Sequence, residues 1–523
     1  MVRDLRSAHF NTLFFQARAR GDAYYLSAFE PWAQNLTGTL GQDPGWDPLA
    51  FLITEAHRAG MEVQAWCNVF KVRGPLPVAP STPLHISLAH PEWTVTHDAE
   101  VWLDPGLPAV RSFLIGVMLD LVAKYDVDGV MLDFIRYPGR DFPDASTYRK
   151  FGTGIDLDEW RRANVTRFVE ELYDSIRARK PFLRVGSTPV GIYDGDPSGD
   201  RLGAYHTYYQ DSQLWLRRGK QDYLAPQIYW DIGSSEQDPD FVSLAERWTA
   251  ASAGRHVYTG IAAYKPRVLK EIPEQIDASR AAGANGQVYF RWENIAALTM
   301  FGDRYARPAN VPPMKWKDRI APRPPGHLVA TELNTNAFLL EWVPSPPADD
   351  GDTARRYDVY RSPTGRISFA DATDLVAIIP AGRNSFVDTV DIPGAITYSY
   401  AVIALDRTGN ESLPSPVTDV TVREAIDIRR RLASVASLSV SLPRSGRAPV
   451  LIAYRLPGTM MVGLDLVPDH APGGQGGRVL RQRLQQPGTY IVSLDRSDLS
   501  PGLYRLRLRT GETTIEQQID LRR

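Results

Sequence analysis

From residue 12 to about residue 300, short apolar runs alternate with longer amphipathic stretches, the pattern of βα units around a parallel sheet. Seven runs have strand length and are mostly rich in β-branched, leucine or aromatic residues: Thr12–Gln16, Val63–Cys67, Gly129–Phe134, Arg184–Thr188, Tyr223–Tyr229, His256–Ile261 and Gln287–Trp292. Helical patterns lie between most of them. Asp47 is placed to cap a helix that Gly60 ends, Pro108 opens another reaching Tyr125, and Leu157–Arg177 carries a charged outer face. A closed barrel of this kind has eight strands, yet the first run begins about a dozen residues after Met1. One strand is therefore expected to be missing, leaving a seam that the segment before Thr12 cannot fully fill, as a truncated or misassigned start would produce.

The stretch Ala306–Pro325 is rich in Pro and Arg, breaks both periodicities and predicts an extended connector. Beyond it, FLLEW, RYDVYRS and TYSYAVIALD alternate with turn clusters, the signature of an antiparallel sandwich. After a linker near Arg423–Arg431, SLSVSL, PVLIAYRL, GTYIVSL and GLYRLRLRTGETTIEQQIDL predict a second all-β module. The expected domains are 1–305, an α/β TIM-like barrel; 306–325, a linker; 326–423, a sandwich; and 432–523, a terminal β-sandwich.

Composition narrows the partners. Across 523 residues, 23% are charged and the formal net charge is −2, so no basic footprint points to nucleic acid or an anionic membrane. The 12 Trp and 23 Tyr provide flat apolar faces with polar edges, of the kind on which sugar rings stack, although ordinary core packing accounts for most of them. Cys67 is the only cysteine, which excludes an intrachain disulfide and a thiolate zinc cluster. The first residues lack the apolar core of a secretory signal, and no run is long and apolar enough for a membrane span. No phosphate loop, strand-linked GxGxxG, GxSxG elbow or HExxH spacing occurs. No cofactor or metal is therefore called for, although carboxylate ligands leave no spacing signature.

The segment from FFQARARGDAYYLSAFEPW to EVQAWCNVFKV, followed in order by HPEW, WLDPGLPAVR, DGVMLDFIRYP and DYLAPQIYW, resembles bacterial glycosyl-hydrolase-like family 10 domains over roughly residues 8–305. The resemblance implies a TIM-like barrel acting on glycosidic bonds, in an extracellular or cell-envelope setting. Family members usually carry a secretion signal and an additional strand and helix before this point. The middle block resembles a fibronectin type III domain, with Trp342 in an early strand and Tyr398 at the tyrosine-corner position. The last block resembles the small β-sandwich tails of secreted bacterial proteins.

In barrels of this type the reacting groups sit where strands end and βα loops begin, which ranks the carboxylates by position. Asp133, at the end of GVMLDF and followed by Arg136 and Tyr137, is the first candidate for nucleophile or general base. Asp126 and Asp128 precede the same strand and belong to the opposite, stabilising end. Glycoside cleavage usually needs a second carboxyl; Glu293 and Asp231 lie at strand ends beside Trp292 and Trp230, whose rings would desolvate them, and either would equally serve as a helix cap. Asp22 and Glu30, in the most family-like segment, are candidates for sugar binding or proton donation. Arg18, Asn68, His90, Arg136, Tyr137, Gln227 and Tyr229 offer directional hydrogen bonds to hydroxyls, and Trp32, Trp66, Trp230 and Trp292 offer stacking faces. A lone histidine such as His90 is more often structural than catalytic.

These residues predict a glycosidase acting on a bacterial cell-wall or extracellular polysaccharide through two carboxylates. The competing readings are a carbohydrate-binding scaffold with a degenerate or truncated barrel, and an adhesion protein whose C-terminal modules attach it to a cell surface.

Overall fold

The computed structural model describes residues 1–522 apart from 195–202, 234–238, 298–300, 303, 335, 371, 391–395, 423–435, 442–449, 457–458, 470–476, 487, 496–498 and 511–512. The chain falls into two compact units: Met1–Val329 with Glu341–Phe386 and Tyr398–Asp419, and Ala330–Leu340 with Val387–Thr397 and Val420–Arg523. The expected linker at Arg423–Arg431 lies outside the described residues.

All seven apolar runs form strands of one sheet, in sequence order: Thr12–Arg18, Glu62–Asn68, Gly129–Asp133, Arg184–Ser187, Tyr223–Leu224, His256–Ile261 and Gly286–Tyr289. Every pair is parallel. The sheet curls on itself: Met131, Tyr223, Ala225 and Tyr258 pack together with Phe14, Trp66 and Val288, bringing side chains from both edges and the middle into one interior cluster. The Tyr223 hydroxyl donates to Gln64 Oε1 at 2.6 Å across that interior. Thr12–Arg18 and Gly286–Tyr289 are the two edges. The eight-stranded closure of a full (β/α)8 barrel is thus not seen among the described residues. Residues Val2–Ser7, ahead of the first strand, form a helix rather than a strand.

The helices start and stop where the caps dictate. Asp47 Oδ1 accepts the Ala50 N–H at 2.9 Å and opens Pro48–Arg58; Gly60 follows at φ +75°, a left-handed conformation that costs glycine nothing. Pro108 begins Pro108–Lys124, where its missing N–H is not needed, and Asp156 caps Leu157–Arg179. The run Tyr223–Tyr229 is a strand only at Tyr223–Leu224, with an isolated bridge at Gln227, because Pro226 has no N–H to continue the ladder.

The amino ends of the strands hold paired charges. Asp128 accepts from Val63 N and pairs with His57 at 2.7 Å; Asp126 meets Arg355 and Arg407 at 2.9 Å each. Burial alone would raise the Asp126 carboxyl, but the two guanidiniums overcome it and hold it at about 2. Glu62 pairs with Arg184 at 3.3 Å and with Arg356 at 2.5 Å. The Pro-rich connector is extended, as its composition predicts, but it is anchored. Trp316 Nε1 donates to buried Asp222 at 2.9 Å, Lys317 Nζ lies 3.0 Å from the same carboxylate, and Met314 is buried.

Downstream, Gly326–Asn334, Ala337–Val343 and Ser385–Thr389 form a three-stranded sheet, and Arg356–Ser362 lies antiparallel between Leu375–Pro380 and Ile396–Leu405 in a four-stranded one completed by Thr418–Val422. In the last block, sheets of three and four strands enclose a core that includes Ile452, Leu464, Leu506 and Leu508. Among the described residues no helix is long and apolar enough to cross a membrane.

Asp358, fully buried on Arg356–Ser362, accepts a hydrogen bond from Asn310 of the connector. Burial raises its carboxyl to about 7, against the opposing effects of Asn310 and Arg356. Its folded value exceeds that of an unfolded Asp, near ~3.9, so its favourable contribution is complete below about pH 4 and is lost as pH rises towards the folded value. Urea unfolding should show Asp358→Asn gaining stability relative to the unchanged protein between about pH 5 and pH 8; a constant difference across that range would refute this coupling.

Candidate active site

Side chains alternate across a strand, and parallel neighbours in register point the same way. Gln64, Trp66 and Asn68 therefore share the inner face with Met131 and Asp133, since Trp66 lies opposite Met131 and Asn68 opposite Asp133. All five line a cavity of about 1190 Å³ that reaches from Asn68 and Asp133 at the carboxyl ends to Thr12 and Gly286 at the amino ends of the two edge strands, with Phe14 on one side and Val288 and Tyr289 on the other.

Asp133 is the best-buried carboxyl of this cavity, 8% exposed. Its Oδ1 accepts from Phe134 N at 2.7 Å and from Gln227 Nε2 at 3.3 Å. Burial raises the carboxyl; the Arg136 charge and the donors from Phe134, Trp66 and Gln227 oppose this without cancelling it. Phe134 itself has φ +49°, a left-handed conformation that a bulky residue rarely adopts. Trp66 Nε1 donates to Asn68 Oδ1 at 3.1 Å, and Asn68 Nδ2 donates to Ala19 O at 2.8 Å. The wall beside Asp133 is aromatic: Trp66 meets Phe290 edge-on at 5.9 Å, and Phe290 lies nearly parallel to Tyr229 at 6.4 Å. Burial and the Asp133 charge both push the Tyr229 phenol upward, so it stays protonated.

Of the residues singled out from sequence, Asp22, Trp66, Asn68, Asp133, Arg136, Gln227, Tyr229, Trp292 and Glu293 meet at this cavity. Asp22 is 9% exposed, and its Oδ1 accepts from Arg20 N at 2.8 Å. Glu293 stands on the rim, its side chain 66% exposed and 3.3 Å from Arg291.

The others are placed elsewhere. Arg18 and Glu30 pair with each other at 2.6 Å, both fully buried. Asp231 contacts Arg267 at 2.6 Å and, like Trp230 and Trp32, is not a lining residue. His90 is half-exposed, stacked on Trp93 at 3.8 Å and bonded to Glu92. Tyr137 is buried between Phe142 and Tyr209. Sequence reasoning passed over Phe290, Lys71, Thr188 and Tyr258, all of which line the cavity. Phe290 was findable, since it occupies the strand-end position of the run QVYFRW. The described residues contain one group of three carboxylates close enough to share an ion, Asp318, Asp352 and Asp406, and none of them lines this cavity.

A curled parallel α/β sheet with a polar and aromatic cleft at its carboxyl ends, in a chain carrying the glycosyl hydrolase-like pattern, defines a carbohydrate-active protein. Residues 1–277 match the family described as Glycosyl hydrolase-like 10. The chain belongs to that family. It is 32% identical over 393 residues to the Glycosyl hydrolase YngK of Bacillus subtilis (strain 168), spanning 69% of this chain and 76% of that protein. It is 36% identical over 276 residues to the Glycosyl hydrolase DigH of Escherichia coli (strain K12), spanning 49% of this chain and 62% of that one. Among solved structures, the PgaB (BpsB) glycoside hydrolase domain from Bordetella bronchiseptica aligns over 58% of this chain and 90% of its own, at 16% identity and a TM-score of 0.43.

The Arg18–Glu30 pair yields a direct test. Burial alone would lower the Arg18 guanidinium, but the Glu30 charge and hydrogen bonds outweigh it and the net shift is upward. Glu30→Gln leaves a buried cation uncompensated and should cost about 3–5 kcal/mol in denaturant unfolding. A loss below about 1 kcal/mol, the range of exposed pairs, would show that water reaches the guanidinium.

Proposed function

We propose that this chain is a glycoside hydrolase acting on a bacterial cell-wall or extracellular polysaccharide, with Asp133 as the carboxyl that exchanges the proton at the glycosidic oxygen. One observation carries the reading. Asp133 is a desolvated carboxyl with a raised pKa, at the carboxyl end of a central strand, beside an aromatic wall suited to a sugar face. A carboxyl held protonated above its ordinary range is fitted to donate to a leaving group.

The second carboxylate in this reading is Asp22. It lines the same cavity and is largely buried, whereas Glu293 is exposed beside Arg291 and Asp231 is drawn away by Arg267. Asp22 acts as nucleophile if configuration is retained and as the base on water if it is inverted. We read the middle β-strands as a fibronectin type III module, in which buried Trp342 packs edge-on against Tyr357 at 5.4 Å, and the C-terminal strands as a spacer or cell-surface attachment module. The rival reading, a non-catalytic carbohydrate-binding scaffold, is favoured by the exposure of Glu293 and the ion pairing of Asp231.

Asp133→Asn should lower reducing-end release from peptidoglycan fragments and bacterial polysaccharides by about 10²–10⁴-fold while glycan binding persists. Because Asp133 works in its protonated form, the activity of the unchanged protein should fall as pH rises through its raised pKa, and the residual activity of the variant should lack that limb. Binding without turnover in the unchanged protein would move the assignment to the scaffold.

A further inference from the structure

The formal charge of −2 averages over two opposite parts of the chain. Val420–Arg523, the last segment of the second compact unit, carries 16 Arg, no Lys and 9 Asp or Glu, a formal +7, whereas the residues before it carry −9. Such a polarity bears on partners rather than on fold. Two strands of the terminal four-stranded sheet hold three arginines each, and the fold treats the two rows oppositely. On Leu503–Thr510, inside the sheet, Arg505 meets Asp469 at 2.6 Å, Arg507 meets Glu516 at 3.1 Å, and Arg509 pairs with Asp465. On Arg478–Gln485, an edge strand, Arg478, Arg481 and Arg483 stand opposite Leu466, Leu464 and Val462 of Met460–Pro468, so all three project from one face. Arg481 is half-buried and Arg483 exposed, and among the described residues neither meets a carboxylate. A charge at a sheet edge guards against pairing with another sheet. That role accounts for a charge, but not for a row of one sign in a segment already far from neutral.

We propose that the Arg478–Gln485 edge is the docking surface for a linear polyol phosphate, a polymer with one phosphodiester in each repeat. This rests on reading the C-terminal strands as an attachment module and adds the chemistry of what they hold. Alternate residues of a strand lie about 7 Å apart, so the row offers a guanidinium at each step of an extended polyanion. The guanidinium fork matches two phosphate oxygens. A phosphodiester is a weaker base than a carboxylate and gives up its water more readily, which suits the half-buried Arg481. Surfaces that hold single-stranded nucleic acid interleave cations with stacking aromatics, and RVLRQRLQ contains none. A lipid surface needs cations and apolar side chains together. Here the exposed Val479 and Leu484 lie opposite Asp465 and Met461, on the other face of the strand from the arginines.

The test uses the full chain and fluorescently labelled poly(glycerol phosphate), with polygalacturonate, single-stranded DNA and neutral dextran of similar length as comparators, read by polarisation across a salt series. Poly(glycerol phosphate) should bind tightest, with log K falling against log salt at a slope of about −2, as three phosphate contacts on a single strand require. Replacing Arg481→Gln and Arg483→Gln together should weaken binding about 10-fold or more and flatten that slope by about 1 to 2. Replacing Arg505→Gln and Arg507→Gln together removes the same charge from the row that is already paired, and should weaken binding clearly less. Arg481→Lys with Arg483→Lys keeps the charge without the fork and should retain part of the affinity. If the edge Gln variant does not fold by circular dichroism, the reduced affinity of the Lys variant decides the matter.

No binding of poly(glycerol phosphate), tighter binding of polygalacturonate or DNA, or equal weakening by the edge and interior Gln pairs overturns the proposal; the last outcome would assign binding to bulk charge. Failure of this surface and of the attachment reading are separable by sedimenting the protein with bacterial cell walls before and after removal of their phosphate polymers. Equal retention on both keeps the attachment module and discards the phosphate surface. Retention on neither, with polymer binding intact and sensitive to the edge arginines, keeps the surface and discards the module's attachment role.

Discussion

A guanidinium buried with no access to water must be neutralised by the chain, and at the end of the first strand that requirement shapes the mouth of the sheet. Arg18 is fully buried and spends its donors on two elements. Nε and Nη2 hold Glu30, twelve residues on, while Nη1 reaches the carbonyls of Asn68 and, at 3.0 Å, Val69. Val69 N in turn donates to the Asp133 carbonyl at 2.8 Å. The loop after the first strand, the end of the second and the end of the third are thereby fixed to one another, and with them the positions of Asn68, Trp66 and Asp133.

Much of this was legible in the sequence because its signals are local. A parallel strand buried on both faces needs a continuous apolar run, and all seven runs became strands. The placement of Asp133 at the cavity followed from its position, since a residue at the carboxyl end of such a run lies next to the loops. Partner choice was not legible. Arg18 and Glu30 look like two hydrogen-bonding ligands in sequence, and only the fold shows that they use each other. Trp230 and Trp32 carry the same aromatic signal as Trp66 and Trp292, but face elsewhere. The connector's Pro and Arg content predicted a spacer; Trp316, an aromatic inside a Pro-rich run, was the sign that it would dock.

The two ends of the sheet treat their carboxylates differently. At the amino ends Asp126, Asp128, Glu62 and Asp222 each have an Arg or Lys within ion-pair reach. At the carboxyl ends Asp133 and Asp22 accept their hydrogen bonds from neutral donors, Phe134 N, Gln227 and Arg20 N, and burial raises the Asp133 carboxyl against the Arg136 charge. The ion-paired carboxylates and the candidate site thus lie at opposite ends of the strands, the division that barrels generally show between their stabilising and reactive faces.

Phe134 shows what that separation demands at one residue. Its left-handed backbone, costly for a side chain of that size by about 1–3 kcal/mol, turns the chain immediately after Asp133 and sets the ring beside Trp102 and Arg136. A glycine there would relax the backbone and remove the ring together. Conformational ease and a shaped cleft are therefore in direct opposition at this position, and a consensus-driven programme of thermal stabilisation that favours the easier backbone would erode the cleft it set out to preserve.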